Sequence, residues 1–172
     1  FFLMELVWYR MLGPVLGGSP YTCGLILSIA LVGIGLGGAA YPFIMRGVRP
    51  SAGLLATTCL FEALAMLVPY ALGDRIALLS AQVRPLSAMG FYGLVGAWTL
   101  VTVIVVFPAA FISGVQFPLL IALLGKGAKG VGKQTGRVYA ANTAGAIFGS
   151  LAGGFGLLPW LSAIGCWLLS AA

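Results

Sequence analysis

Residues 136–150 read GRVYAANTAGAIFGS. A basic residue, Arg137, leads directly into an apolar stretch in which a small residue returns at every fourth position. Those small residues are Ala141, Gly145, Gly149 and Gly153. Residues four apart lie on one face of a helix, and in lipid the close approach of backbones across small residues packs helices together. The stretch therefore predicts a membrane helix whose small face contacts another helix.

The composition assigns the whole chain to the membrane. Of its 172 residues, 61% are hydrophobic and only 7% are charged, whereas soluble domains carry about 25% charged residues. The mean hydropathy is +1.11. We therefore predict an all-α fold, a polytopic bundle of transmembrane helices that forms a single transmembrane domain over residues 1–172. The net charge of +6 lies in short loops, as membrane orientation requires, so no nucleic-acid partner is expected.

Apolar runs long enough to cross a bilayer, about 20 residues each, predict about six spans. They cover residues 1–12, 20–45, 52–72, 86–124, 138–158 and 160–172. The first and last runs are shorter than a full crossing and lie at the chain ends. We expect the first helix to be truncated at its start, and the last helix can be truncated at its end.

Loop charges predict the orientation. Arg46 and Arg49 lie in one short loop, and a second basic cluster consists of Lys126, Lys129, Lys133 and Arg137. If residues 86–124 cross once, both clusters fall on the same side, which the positive-inside rule makes cytoplasmic. If they cross twice, the clusters fall on opposite sides. We favour one crossing, kinked near Pro108 and Pro118.

Two glycine-rich motifs resemble nucleotide-binding loops. Residues 33–38 match GxGxxG, but they lie inside an apolar span, where Gly33 and Gly37 form the GxxxG pattern of close helix packing. Residues 127–134 come near to a P-loop, but Gln134 stands at the position of the Ser or Thr that binds Mg²⁺. We interpret the first as a packing face and the second as a basic loop. No cofactor or metal site is predicted.

Polar residues inside apolar spans are the candidate functional residues. Glu62 lies in the middle of the third span, where a charge costs on the order of 3 kcal/mol or more. Glu5 and Arg10 lie in the first span, and Gln116 and Asn142 lie in later ones. Two interpretations stay open: the carboxylates are hydrogen-bonded packing residues, or they line a pathway for a cation or a proton. The two amides are typical interhelical hydrogen-bonding groups.

The chain resembles the membrane domain of spermidine-synthase-like proteins, the fused major-facilitator/spermidine-synthase proteins. The matching motifs run through nearly its whole length. They are Glu5-x-x-Trp8-x-Arg10, Gly18-Ser19-x-Tyr21, Gly33-Ile34-Gly35-Leu36-Gly37, Glu62, Phe107-Pro108, Gly114, Phe117-Pro118-Leu119-Leu120, Gly136-Arg137-x-Tyr139-Ala140-Ala141-Asn142-Thr143-x-Gly145 and Gly153-x-Phe155-x-Leu157-x-Pro159. The motif that begins at Gly136 is the most specific.

The resemblance implies a six-helix half similar to a major-facilitator half. In the family a cytoplasmic aminopropyltransferase domain often follows, which binds decarboxylated S-adenosylmethionine and a polyamine. None of these residues matches that domain, so no catalytic residue is carried over. The first hypothesis is a non-catalytic membrane domain, an anchor or a packing subunit. The alternatives are a half-transporter for a cation such as a polyamine, and the membrane part of a fused transferase.

The expected surroundings follow from these hypotheses. The partners would be the lipid bilayer, other membrane subunits or a second copy of the chain, and a polyamine. The expected location is the bacterial inner membrane with the basic loops in the cytoplasm.

Overall fold

Helices account for almost the entire fold. A computed structural model describes residues 2–125 and 131–171, and within those ranges it contains no β-strand. The helices are α1 (Phe2–Leu12), α2 (Pro20–Ile44), α3 (Ala52–Ala71), α4 (Gly73–Val83), α5 (Phe91–Leu124), α6 (Val131–Leu151) and α7 (Leu158–Ala171). A 3₁₀ segment, Arg84–Met89, precedes α5, and a π-helical segment, Ala152–Leu157, joins α6 to α7. The predicted all-α helical bundle is confirmed.

Four helical stretches are long and apolar enough to cross a membrane. They cover residues 20–44, 52–71, 91–124 and 132–171. Within the 18-residue apolar window that identifies each stretch, the buried share is highest in the third stretch, at 39%, and lowest in the last, at 6%. Because most of each stretch is exposed and apolar, the outer surface suits lipid rather than water. These features support a membrane-embedded bundle.

The count of four differs from the predicted six at the two ends of the chain. The described part of α1 has only 11 residues, which is too short to cross a bilayer alone. The two last predicted spans form one helical stretch, which is interrupted at Ser162 by a non-helical backbone (φ 61°, ψ 174°). The prediction placed this break at Pro159, three residues earlier.

The chain reverses its direction at this break. Beyond it, Trp167 donates a hydrogen bond from Nε1 to the carbonyl of Met66 (3.0 Å) and its ring lies 5.8 Å from that of Tyr70. Further along α7, Ser170 lies beside Glu62. The end of α7 is therefore antiparallel to α3. Before the break, the contacts of Gly149 and Gly153 with Leu3 and of Gly154 with Leu6 show that the chain is parallel to α1.

Serine caps begin α2 and α3. The Ser19 hydroxyl accepts a hydrogen bond from the Thr22 amide (3.4 Å), and Ser51 accepts one from the Leu54 amide (3.1 Å). Such caps satisfy amide groups that lack a partner in the first helical turn. Pro20 follows Ser19 as the first residue of α2, where its missing N–H is no loss.

Helices α2 and α5 touch backbone to backbone. A Cβ atom added at Gly33 would lie 2.7 Å from the Ala110 Cβ, and one added at Gly37 would overlap the Phe111 carbonyl. From the other side, a Cβ at Gly114 would overlap the carbonyl of Ile34. Glycines on both helices therefore make this contact possible.

The same contact shows that α2 and α5 are parallel. Tyr21 and Phe91, near the two N-terminal ends, have ring centroids 5.7 Å apart, and the glycine contacts follow toward the C-terminal ends. As predicted, residues 91–124 cross the bundle once; the helix begins at Phe91 rather than at residue 86. At 34 residues it is about 51 Å long, which exceeds a hydrocarbon core of about 30 Å.

Because α2 and α5 are parallel, they end on the same side of the bundle, which we call the basic end. Arg46 and Arg49 follow α2 there. Lys133 and Arg137 lie in the first turns of α6, which starts beside the end of α5, since the rings of Tyr139 and Phe117 are 4.8 Å apart. Lys126 and Lys129 lie outside the described residues. The four described residues thus share one end, while Arg10, Arg75 and Arg84 lie toward the other.

We expect Gly37→Ala to lower the stability of the bundle, because the new methyl group would overlap the backbone of α5. Overpacking of this kind costs about 1–3 kcal/mol. Gly35→Ala is the matched control, since no atom lies within 4 Å of the Cβ position at Gly35 among the described residues. Thermal unfolding in detergent should show a lower midpoint for Gly37→Ala alone. Equal midpoints for the two variants would contradict the backbone contact.

Candidate functional site

Glu62 and Gln116 form a hydrogen bond between two spans. Gln116 donates from Nε2 to the Glu62 Oε2 atom over 2.8 Å, which joins α3 to α5. Both side chains are half-buried. Gln116 is the one hydrogen-bond donor to this carboxylate within the part of the chain that the structure describes. The sequence singled out both residues but did not pair them.

Glu62 also lines a cleft of about 460 Å³. The cleft lies where α1, α3 and α7 meet, and its walls include Met4, Cys59 and Ser170. Ser170 donates its hydroxyl to the Cys166 carbonyl of its own helix (2.8 Å). The walls are otherwise mostly aliphatic, and Glu62 provides the one carboxylate among the residues that line this cleft.

The spacing of α3 residues explains how Glu62 reaches this position. Met66 lies one turn after Glu62, on the same helical face, and it is buried against α1 and α7. Thr58, one turn before Glu62, is buried as well and donates to the carbonyl of Leu55 (2.8 Å). Glu62 therefore lies on the inner face of α3, between two buried neighbours, and faces the bundle rather than the lipid.

Glu5 lies in a different cleft. That cleft, of about 250 Å³, is formed by α1, α2 and α6 and is lined by Tyr9, Cys23 and Ser150 besides Glu5. Its neighbour on α1, Met4, faces the Glu62 cleft instead. The two carboxylates that the sequence proposed for one pathway thus lie on two sides of α1. Arg10, which was grouped with Glu5, is exposed at the far end of α1.

The small residues of α6 divide into two groups. Gly153, in the π-helical segment just after α6, is buried, and a Cβ there would lie 2.6 Å from the Leu3 Cδ1 atom. A Cβ at Gly149, near the C-terminal end of α6, would lie 3.9 Å from the Leu3 amide nitrogen. Nearer the basic end, Gly145 has no atom within 4 Å of its Cβ position among the described residues. Ala141 is exposed there too.

Asn142 lies between these small residues and is exposed. Its side chain forms no hydrogen bond with any residue that the structure describes. An amide that faces hydrocarbon without a partner is costly, because lipid chains offer no donors or acceptors. The face formed by Ala141, Asn142 and Gly145, which we call the open α6 face, is thus poorly suited to lipid.

The described residues contain no set of side chains that could bind a metal ion. No group of three or more His, Cys, Asp or Glu side chains is close enough there to hold a metal ion. Cys23 and Cys59 are exposed and Cys166 is buried, and all three are free thiols. The arrangement can hold a proton or a cation at a carboxylate and can pack against other helices.

Comparisons with protein-family models, with curated proteins and with solved structures find no match to this chain. The resemblance to spermidine-synthase-like membrane domains therefore stays a prediction, supported by the motifs alone.

Several residues of these sites carry little or no signal of their role in the sequence. Ser170 borders the Glu62 cleft, but it lies in the final apolar run, whose packing partner a linear pattern does not reveal. Gly114 completes the contact of α2 with α5; it is among the motifs of the family resemblance but was not assigned to a packing face. Ser80 lies in a third cavity, described below, and nothing around it in the sequence distinguishes it from other helical serines.

We expect Glu62 and Gln116 to be coupled in a double-mutant cycle with Glu62→Ala and Gln116→Ala. Interhelical hydrogen bonds inside membranes average about 0.6 kcal/mol and reach about 1.7 kcal/mol. Unfolding free energies in detergent should therefore depart from additivity by about that amount. Thr99→Ala replaces Gln116→Ala in the control cycle, because Thr99 donates to Val95 of its own helix. Additive effects in both cycles would refute the bond.

Proposed function

We propose that this chain is a non-catalytic membrane domain that packs with further helices, as the anchor or a subunit of a larger membrane assembly. The observation that carries the proposal is the open α6 face. The apolar 18-residue window of the last helical stretch has the lowest buried share of the four windows, 6%, and the open α6 face in the same stretch combines small residues with an amide. Contact with lipid requires neither small residues nor an amide, whereas packing against a second helix uses both.

The resemblance to spermidine-synthase-like membrane domains supports the same proposal. A six-helix half of a major-facilitator type is expected to pair with another half, because transport sites of such proteins lie between repeats. In this proposal the basic end faces the cytoplasm of a bacterial cell, in accordance with the positive-inside rule. An attached aminopropyltransferase domain would then lie on that side.

The register of α1 and α6 indicates where the additional helix would lie. Leu3, in the first turn of α1, reaches Gly149 and Gly153, while Gly145 and Ala141 lie about one and two turns closer to the basic end. A helix from another polypeptide fits there. An α1 that extends before Phe1 would fit there as well. An experiment must therefore distinguish a helix of another polypeptide from α1 of the same chain.

We expect Gly145→Leu to weaken the assembly, since a bulky side chain prevents close approach at the open α6 face. Ala144→Leu is the control, because Ala144 is equally exposed but is rotated by about 100° on the helix. Both variants of the full-length polypeptide would be purified in detergent, and their assembled mass and unfolding midpoint measured.

A loss of assembled mass with Gly145→Leu and an unchanged midpoint would support an intermolecular partner. An unchanged mass with a lower midpoint would assign the face to α1 of the same chain. That result would refute the subunit proposal for this face.

The second candidate function is a half-transporter for a cation such as a polyamine. The observation that favours it is the Glu62 cleft. One carboxylate oxygen is held by Gln116, which fixes the direction of the side chain and leaves the other oxygen for a proton or an ammonium group. Intramembrane carboxylates that border a cleft commonly mark such pathways.

We expect Glu62→Gln to abolish polyamine uptake into proteoliposomes and to leave folding intact, because the amide keeps the shape but loses the charge. Glu5→Gln removes the same charge from the neighbouring cleft and should retain uptake if Glu62 alone binds the cation. Unfolding midpoints would verify that both variants are folded. Wild-type protein that takes up no polyamine, or full uptake by Glu62→Gln, would eliminate this candidate.

A further inference from the structure

A third cavity lies at the end of the bundle opposite the basic end. Its volume is about 290 Å³, near the lower limit of small-molecule sites, which run from about 300 to 1,000 Å³. The loop between α1 and α2 forms one wall, α4 another and the first half of α5 the third. Neither of the functions proposed above uses this cavity.

Helix α4 contacts the core through an apolar face, and two polar residues on or beside that face line the cavity. Ile76, Leu79 and Val83 pack against the core at the spacing of one helical face. Ser80 lies on the same face and is only 7% exposed. Arg84 follows α4 as its C-cap, four residues after Ser80, with helical backbone angles, so the two side chains are neighbours on this surface. Both line the cavity.

The Ser80 hydroxyl lacks a hydrogen-bond partner among the described residues. The other three polar residues of the buried set donate to backbone carbonyls: Thr22 to Leu16 (3.0 Å), Thr58 to Leu55 (2.8 Å) and Thr102 to Trp98 (2.8 Å). Ser80 could bond back to its own helix in the same way but does not. Because Ser80 lines the cavity, a ligand bound there can supply the hydrogen-bond partner that its hydroxyl lacks within the described chain.

Arg84 brings a positive charge to the mouth of the same cavity. Asp74 is the one acidic residue on α4, and it lies ten residues earlier, about 15 Å along the helix axis. That separation is too large for an ion pair. The guanidinium is therefore available to an anion, and arginine binds phosphate oxygens with two parallel hydrogen bonds.

The remaining wall is apolar. Trp98 forms part of it and packs against Gly17, which has a φ of +87° and would place an added Cβ 3.4 Å from the indole ring. Val15, Leu94 and Val101 complete the apolar side. A phosphate alone would leave this wall uncovered, whereas a lipid covers it with its glycerol and the upper part of an acyl chain.

We propose that this cavity binds the headgroup of an anionic phospholipid. The phosphate accepts hydrogen bonds from Arg84 and Ser80, and the acyl chains continue along the apolar surface of α5. The site is thus a lipid site built into the end of the bundle, independent of the open α6 face and of the Glu62 cleft.

Native mass spectrometry of the detergent-purified protein tests this site with three probes. They are phosphatidylglycerol, diacylglycerol with the same chains but no phosphate, and inorganic phosphate. We expect one phosphatidylglycerol to bind per chain, and we expect diacylglycerol and inorganic phosphate to bind more weakly. Arg84→Gln should weaken that binding about tenfold or more, as the loss of charge-assisted hydrogen bonds predicts, and Ser80→Ala should weaken it less.

Arg49→Gln is the matched control, because Arg49 is an exposed arginine at the basic end and should leave phosphatidylglycerol binding unchanged. If diacylglycerol binds as well as phosphatidylglycerol, the proposed contact with the phosphate is refuted. If inorganic phosphate binds equally well, the proposal that the ligand is a lipid is refuted. Unchanged binding by Arg84→Gln, or an equal loss with Arg49→Gln, would show general attraction to basic protein rather than this site. Unfolding midpoints without lipid verify that each variant is folded.

Discussion

The backbone contact between α2 and α5 is the constraint on which the rest of the bundle depends. Gly33 and Gly37 on one helix and Gly114 on the other leave no room for a Cβ atom. Because lipid supplies no hydrophobic force between helices, such close approach is what holds membrane helices together. The two helices are parallel across this contact, and the parallel arrangement brings Arg46 and Arg49 to the same end as Lys133 and Arg137.

The position of Glu62 follows from that arrangement. With α5 fixed against α2, the opposite side of α5 is left for α3, and Gln116 on that side meets Glu62. A carboxylate in the middle of a membrane span is costly unless a partner satisfies it. The bond to Gln116 lowers this cost without neutralising the charge, which leaves the carboxylate able to accept a proton or a cation from the cleft shared by α1, α3 and α7.

Sequence patterns predicted local features well and pairings poorly. The four-residue spacing of Gly33 and Gly37 identified a packing face, but the partner could not be named, since any small residue on another helix would serve. Glu62 and Gln116 stood out as polar residues in apolar spans. Their bond joins positions 54 residues apart, and it depends on the rotation and register of α3 against α5. Ser80 had no signal, because its missing hydrogen bond exists only in three dimensions.

The helices of the bundle differ in how much of their surface is buried. Residues of α5 are the most buried among the candidate spans, and those of the last stretch are the least. The open α6 face lies on the side of α1 that holds Glu5, whereas the Glu62 cleft lies on the other side, toward α3 and α7. A helix docked on α6 would therefore leave the Glu62 cleft accessible. The two proposed roles, assembly through α6 and cation binding at Glu62, are thus compatible in one domain, because they use different sides of α1.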